Sequence, residues 1–235
     1  GVLVGASTLL EPGWELFGAV GVSGSDGAAG TTGRLEARVL SPQRNRVTGS
    51  LSFAHGPLDE SAVLIENGVS IDLLQAGARF RVSPIWRVHG SASVGWFKGS
   101  ESNRRLAGSV FVGRNLSPSW NVGLFTRMFG FEKQLQEGYF SPDLYWLTEA
   151  SATWSSGIGN WRLSVDAAPG LQIIGSGGGT SATIRAGSRL AYFLGQGRDL
   201  SLGVLYSTTG LSSFSTGAED YRYLSVGLEL DWAIH

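Results

Sequence analysis

Apolar and polar residues alternate with a period of two from Trp14 almost to the C-terminus. That period belongs to a strand whose two faces meet different surroundings. The last third is clearest. In Ala182–Tyr192 the even positions are apolar or small, and Arg185 and Arg189 take odd ones. The next run sets Leu200, Leu202, Val204 and Tyr206 against Ser201, Gly203 and Ser207. The final run sets Leu224, Val226, Leu228, Leu230 and Trp232 against Tyr223, Ser225, Gly227, Glu229 and Asp231. Turn signals rich in Gly, Pro and Ser break the pattern roughly every ten to fifteen residues. The chain is all-β.

A soluble sandwich alternates too, so other features must decide where the apolar faces point. Charged residues are only 16% of the 235, against about 25% in an average soluble domain. Mean hydropathy is nonetheless only +0.05, and no apolar run approaches the roughly 18 residues of a membrane helix. A membrane barrel meets both conditions, since each strand shows one face to lipid and the other to a polar interior. The apolar faces begin or end on Trp14, Trp86, Trp96, Trp120, Trp146, Trp154, Trp161, Tyr192, Tyr206 and Trp232, as interfacial aromatic girdles do. Short turns such as Ser83-Pro84, Ser117-Pro118 and Gly157-Ile158-Gly159 interleave with longer polar segments near 24–31, 56–67, 98–103, 132–142, 174–180 and 209–220.

These features predict a transmembrane antiparallel up-and-down β-barrel over residues 14–235, after a lead-in segment or extra strand at 1–13. Strands fall near 14–23, 31–40, 46–55, 68–82, 86–98, 103–115, 119–131, 143–155, 160–170, 181–194, 199–208 and 221–233. That is about twelve, with about fourteen as the alternative, because bacterial single-chain barrels carry even numbers. An even count with short periplasmic turns places both termini in the periplasm and the belt in lipid of the Gram-negative outer membrane. Val226–Trp232 resembles the C-terminal signal read by barrel-assembly machinery. The chain opens at Gly1 without a charged region or cleavage site and is read as a processed or excised segment.

The polar face then lines a lumen. Sixteen of the 18 basic residues are arginines. The expected lumenal and selectivity set is Arg34, Arg38, Arg79, Arg81, Arg87, Arg105, Arg127, Arg162, Arg185 and Arg189. Fewer acids share that face: Glu15, Glu36, Glu149, Asp166, Glu229 and Asp231. Two readings stay open. Arg–carboxylate pairs hold a narrow lumen together, or excess positive charge selects anions or binds an acidic polymer. Phe17, Phe97, Phe111, Phe125, Phe129 and Tyr145 share the face, as a track for sugar rings or as filling.

Other chemistries lack their residues. With no cysteine there is neither a disulfide nor a thiolate metal site, and no cofactor or metal is expected. A net charge of −1 offers nothing to nucleic acid. The three histidines are His55 (beside Gly56 and near Asp59), His89 (beside Arg87) and terminal His235. None is set against a distinctive serine as a nucleophile requires. Gly175-Ser176-Gly177-Gly178-Gly179 is a hairpin tip with no helix after it to hold a phosphate. The chain is not expected to be an enzyme.

Glu137-Gly138-Tyr139-Phe140-Ser141-Pro142-Asp143-Leu144-Tyr145 follows Phe129-Gly130-Phe131 and precedes a Trp-bearing strand. It resembles a signature in the C-terminal outer-membrane barrel of the cellulose-synthase-operon proteins, a tetratricopeptide-linked porin type. Gly210-Leu211-Ser212-Ser213-Phe214, followed by Asp220-Tyr221-Arg222-Tyr223, is similar to loops of that group. The resemblance spans about residues 68–234. It implies export of an exopolysaccharide through the barrel, with Tyr139, Phe140 and Tyr145 at the outer mouth. Family barrels are larger and follow periplasmic repeats that this sequence does not contain.

The expected function is thus an outer-membrane channel for export or passage of a glycan or anionic solute. Candidate glycan contacts are Phe97, Phe125, Phe129, Tyr139, Phe140 and Tyr145. The alternative is a structural, anchoring barrel in a larger outer-membrane complex. The partners are lipid, a polysaccharide substrate, and a periplasmic or outer-membrane protein.

Overall fold

The alternation becomes thirteen strands in the computed structural model, which describes residues 2–10, 13–24, 31–42, 46–58, 64, 66–135, 137–175, 179–195, 198–209 and 222–232. They are β1 (Val2–Leu10), β2 (Trp14–Gly24), β3 (Thr31–Leu40), β4 (Val47–Pro57), β5 (Ser70–Phe80), β6 (Trp86–Lys98), β7 (Ser102–Asn115), β8 (Trp120–Phe131), β9 (Tyr145–Ile158), β10 (Trp161–Ile174), β11 (Gly179–Gly195), β12 (Arg198–Ser207) and β13 (Tyr223–Trp232). All belong to one sheet in chain order. Each strand pairs antiparallel with the next, so the topology is up-and-down throughout. No helix among the described residues is long and apolar enough to cross a membrane.

Three features depart from the expected layout. Val2–Leu10 takes the second of the two readings of residues 1–13, an extra strand, in register with β2 from Val2↔Val22 to Leu10↔Trp14. The described strands therefore number thirteen rather than about twelve. Val2 and Trp232 consequently lie at opposite ends of the sheet, whereas twelve strands would put both chain ends on one side. Among the described residues β1 pairs only with β2 and β13 only with β12. The two run in the same direction.

β10 also continues past Pro169-Gly170 to Ile174, although that dipeptide reads as a strand end. Pairing with β9 is interrupted at Ala168 and Pro169 and resumes at Gly170↔Glu149 in unchanged register. Proline removes one ladder donor, and long pairing on both sides carries the strand across the gap. Gly170 is itself required, because an added Cβ would run into the Thr148 carbonyl oxygen.

The third departure is the 99–101 connection, expected to be a long loop. It is a tight turn closed by Gly99 N–H to Glu101 O at 3.3 Å. The long connections on that side are 58–69, 132–144 and 208–222. The opposite end carries 11–13, 41–46, 81–85, 116–119, 159–160 and 196–197.

Directly opposed residues in a ladder share a face, and the registers divide the sheet cleanly. One face exposes Val20, Leu51, Leu74, Leu106, Leu124, Met128, Leu171, Leu202 and Leu228. Contiguous exposed apolar surface of this extent meets lipid or a partner rather than water. The same face carries the aromatic residues in two belts. Trp14, Trp86, Trp120, Trp154, Trp161 and Tyr192 lie towards the short-turn end, and Trp96, Trp146 and Tyr206 towards the other. Trp86 and Trp96 stand ten residues apart on β6. At about 3.3 Å per residue and a tilt near 40–45°, that separation spans roughly 25 Å, the height of the apolar band of an outer-membrane barrel. The side chain of Trp232 lies outside the described residues.

The opposite face holds the core. Leu58, Leu64, Val69, Phe97, Phe129, Phe131, Tyr139, Tyr145 and Leu147 form one buried cluster. Leu58, Leu64 and Val69 from the 58–69 connection and Tyr139 from the 132–144 connection pack there against side chains of β6, β8 and β9.

Candidate functional site

Nine of the ten expected arginines lie on the face opposite the apolar belt. Cross-strand partners fix this: Arg34 faces Gly21 and Arg38 faces Phe17, Arg79 faces His89, Arg87 faces Gly113, and Arg105 faces Phe131 and Arg127 faces Ser109. Arg162 and Arg189 face Ala191 and Ser164, and Arg185 faces Ser207. Arg81 follows β5 in the turn, where its N–H donates to the Arg46 carbonyl at 2.8 Å.

Eight of these arginines fall into three groups. Arg105 and Arg127 belong to the buried aromatic cluster. The Arg105 guanidinium, in a residue only 3% exposed, sits 5.7, 5.9 and 6.0 Å from the Phe97, Phe129 and Phe131 ring centroids. Arg127 lies 5.7 Å from the Tyr145 ring. Further round the sheet, Arg185 reaches the buried Glu149 at 3.5 Å and Asp166 at 3.6 Å. Arg189 pairs with Glu229 at 2.9 Å and donates from Nε to Ser201 Oγ at 3.1 Å. Towards the short-turn end the pairing stops. Arg38, Arg79, Arg87 and Arg162 are exposed, and among the described residues no carboxylate pairs with any of them. Arg87 lies 5.9 Å from the Phe111 ring and Arg162 lies 5.1 Å from the Phe193 ring.

The six candidate glycan contacts come together, but chiefly on one another. Phe97 stacks on Tyr139 at 4.9 Å and Phe129 on Tyr145 at 4.7 Å. Phe140 meets Phe129 and Tyr145 edge-on. Phe97, Phe129, Tyr139 and Tyr145 are 5% exposed or less, which makes them interior filling in this conformation. Phe125 and Phe140 pack half-buried at the cluster's margin.

Tyr139 and Phe140 arrive on the 132–144 connection, and polar clips hold that connection inward. Asn103 donates from Nδ2 to the Lys133 carbonyl at 2.8 Å and accepts the Lys133 N–H at 3.0 Å. It also donates to the Tyr139 hydroxyl at 3.3 Å. Buried Glu137 accepts from the Ser100 hydroxyl and, at 2.9 Å, from the Glu101 N–H. Asn67, from the neighbouring long connection, donates to the Glu137 carbonyl at 3.0 Å. Burial pushes the Tyr139 phenol above its usual range. Alternation cannot reveal Asn103 or Glu137 as clips, since their partners come from separate connections. The odd position of Asn103 in β7, facing inward, was the only available signal.

His55 is on the apolar face at the long-connection end, held by Asp72 at 2.6 Å. Lys98 closes on the other Asp72 oxygen at 2.7 Å. His55 and Lys98 thus share one carboxylate, that of Asp72. His89 lies on the arginine face, stacked on Phe111 at 4.9 Å. His235, Asp59, 176–178 of the glycine tip, and 210–214 with Asp220 and Tyr221 lie outside the described residues, as does the side chain of Asp231.

No protein-family model and no curated protein matches the sequence. Among solved structures, the fold is similar to that of a bacterial polysaccharide outer membrane secretin: 14% identity, TM-score 0.60, covering 97% of this chain and 87% of that one. It is also similar to the outer membrane channel DcaP of Acinetobacter baumannii: 11% identity, TM-score 0.52, covering 95% of this chain and 82% of that one. At such identities the likeness is one of fold. The chain has the fold of outer-membrane β-barrel proteins.

Proposed function

We propose that the chain is a channel of the bacterial outer membrane, passing an anionic solute or glycan along its arginine-bearing face. The observation that carries this is the segregation of the sheet: nine arginines on one face, and on the other an exposed apolar surface edged by two aromatic belts. The apolar face's own arginines, Arg104, Arg114 and Arg198, stand only at its edges, opposite Trp96, Trp86 and Trp232. Lipid satisfies the second face. The first then encloses water, because charged groups left against hydrocarbon cost several kcal/mol each. Short turns face the periplasm, so the C-terminal end of β13 is periplasmic and the 58–69 and 132–144 connections stand at the outer mouth. The glycan is the finer part of the proposal. It draws on the resemblance of residues 137–145 to an exopolysaccharide-export barrel and on a structural neighbour named for a polysaccharide.

The test is single-channel recording of the refolded chain in a planar bilayer under a salt gradient. Conducting steps with anion preference are expected, and Arg185→Glu with Arg189→Glu should move the reversal potential towards cations. An unchanged reversal potential would remove those residues from the conduction path. The buried aromatic cluster supports a second reading, a closed barrel that anchors a larger outer-membrane assembly. A chain that inserts but stays electrically silent would favour it.

A further inference from the structure

The exposed arginines at the short-turn end have an unusual neighbour. Gly113 and Gly123 are direct partners across β7 and β8. A Cβ on either would come within 2.5 Å of the Phe111 ring. The paired glycines thus form a recess in the wall in which that ring lies. His89, the partner of Phe111 across β6 and β7, stacks on it with planes 21° apart and is itself exposed. Arg79 is the partner of His89 on the other side. Arg87 is two residues along the same strand, its side chain lying over Gly113. Arg79 and Arg87 therefore flank a stacked pair of rings, and among the described residues neither is paired with a carboxylate.

We propose that Arg79, Arg87, His89 and Phe111 bind one acidic sugar unit of a carboxylated glycan at the periplasmic mouth. The ring of the sugar lies on the exposed outer side of the His89–Phe111 stack, as apolar sugar faces do on aromatic groups, and its carboxylate sits between the two guanidinium groups. Arg79 and Arg87 occupy diagonal positions across a strand pair, about 7–8 Å apart along the backbone, close enough for one carboxylate to be shared. Like charges held so near each other repel, and an anion between them relieves this. The guanidinium fork also matches the planar carboxylate. Paired Arg185 and Arg189, which already have acids, offer no such vacancy. This site rests on the channel reading for its supply of glycan but not for its chemistry, so binding and conduction can be measured apart.

The experiment is calorimetric titration of the refolded chain in detergent with a galacturonic acid hexamer, set beside maltohexaose as the neutral sugar and sodium acetate as the simple anion. The hexamer should bind at least tenfold more tightly than either control. Arg79→Gln and Arg87→Gln should each weaken it about tenfold, Phe111→Leu by several fold, and Arg114→Gln, on the apolar face at the same end, by less than twofold. Should Phe111→Leu fail to refold, the two arginine variants decide alone. Equal binding of maltohexaose, acetate binding as tight as the hexamer, or undiminished affinity in the arginine variants would overturn the site. Tight hexamer binding by a chain that never conducts would uphold the site and remove the channel.

Discussion

Arg185 and Arg189 stand four residues apart on one face of β11, yet they do different work. Arg185 closes on Glu149, whose side chain is 4% exposed, while Arg189 closes on Glu229, which is 60% exposed. An exposed pair contributes about 1 kcal/mol or less, whereas stranding a buried carboxylate costs roughly 3–5 kcal/mol. Because a third of Arg185 stays in water, Arg185→Leu should destabilise the barrel by about 2 kcal/mol, discounted from the buried value. Arg189→Leu should change little. Guanidinium unfolding of the protein in lipid vesicles, followed by tryptophan fluorescence, checks the difference. The sequence was legible here as to face but not as to partner. Parity places every strand arginine, but which acid Arg185 meets depends on two registers that no single run of residues encodes. For the same reason no run of residues encodes the His89–Phe111 stack and its glycine recess, which depend on the β6–β7 and β7–β8 registers.

Elements were read from the sequence to within a few residues wherever alternation and turn chemistry agreed, as in β3 and β6, whose ends match the expected 31–40 and 86–98. Sequence and structure part where a local breaker opposes a long ladder. Pro169-Gly170 reads as a stop, but β10 continues because β9 and β11 pair along it. A Cβ added at Gly170 would run into the Thr148 carbonyl oxygen, so Gly170→Val should cost at least about 2 kcal/mol, in the range of overpacking. The folded, heat-modifiable band on a cold gel should diminish. The inward fold of 132–144 was likewise not legible, since the sequence contains its aromatic residues but not the clips that turn them inward. Asn103→Ala removes three hydrogen bonds from that connection. It should raise single-channel conductance and add flicker, while an unaltered record would mean the connection does not obstruct the lumen.

On the scale of the whole molecule, the sheet has one apolar and one charged face, with two aromatic belts about one apolar band apart. Composition and period made this legible, because they record solvent on each side of every strand. They did not make the strand count legible. Val2–Leu10 is apolar or small on both faces, so parity says nothing about it, and only its ladder with β2 identifies it as a strand. The sequence contains no cysteine, which permits a direct test of the two faces. Single cysteines at Leu163, Ser164, Val165, Asp166 and Ala167 on β10, in vesicles, would be challenged with a charged, membrane-impermeant thiosulfonate. Modification at 164 and 166, with 163, 165 and 167 reached only by a lipid-soluble maleimide, is expected of a barrel whose arginine face encloses water. Equal reaction at all five positions, or reaction at the odd ones alone, would contradict it.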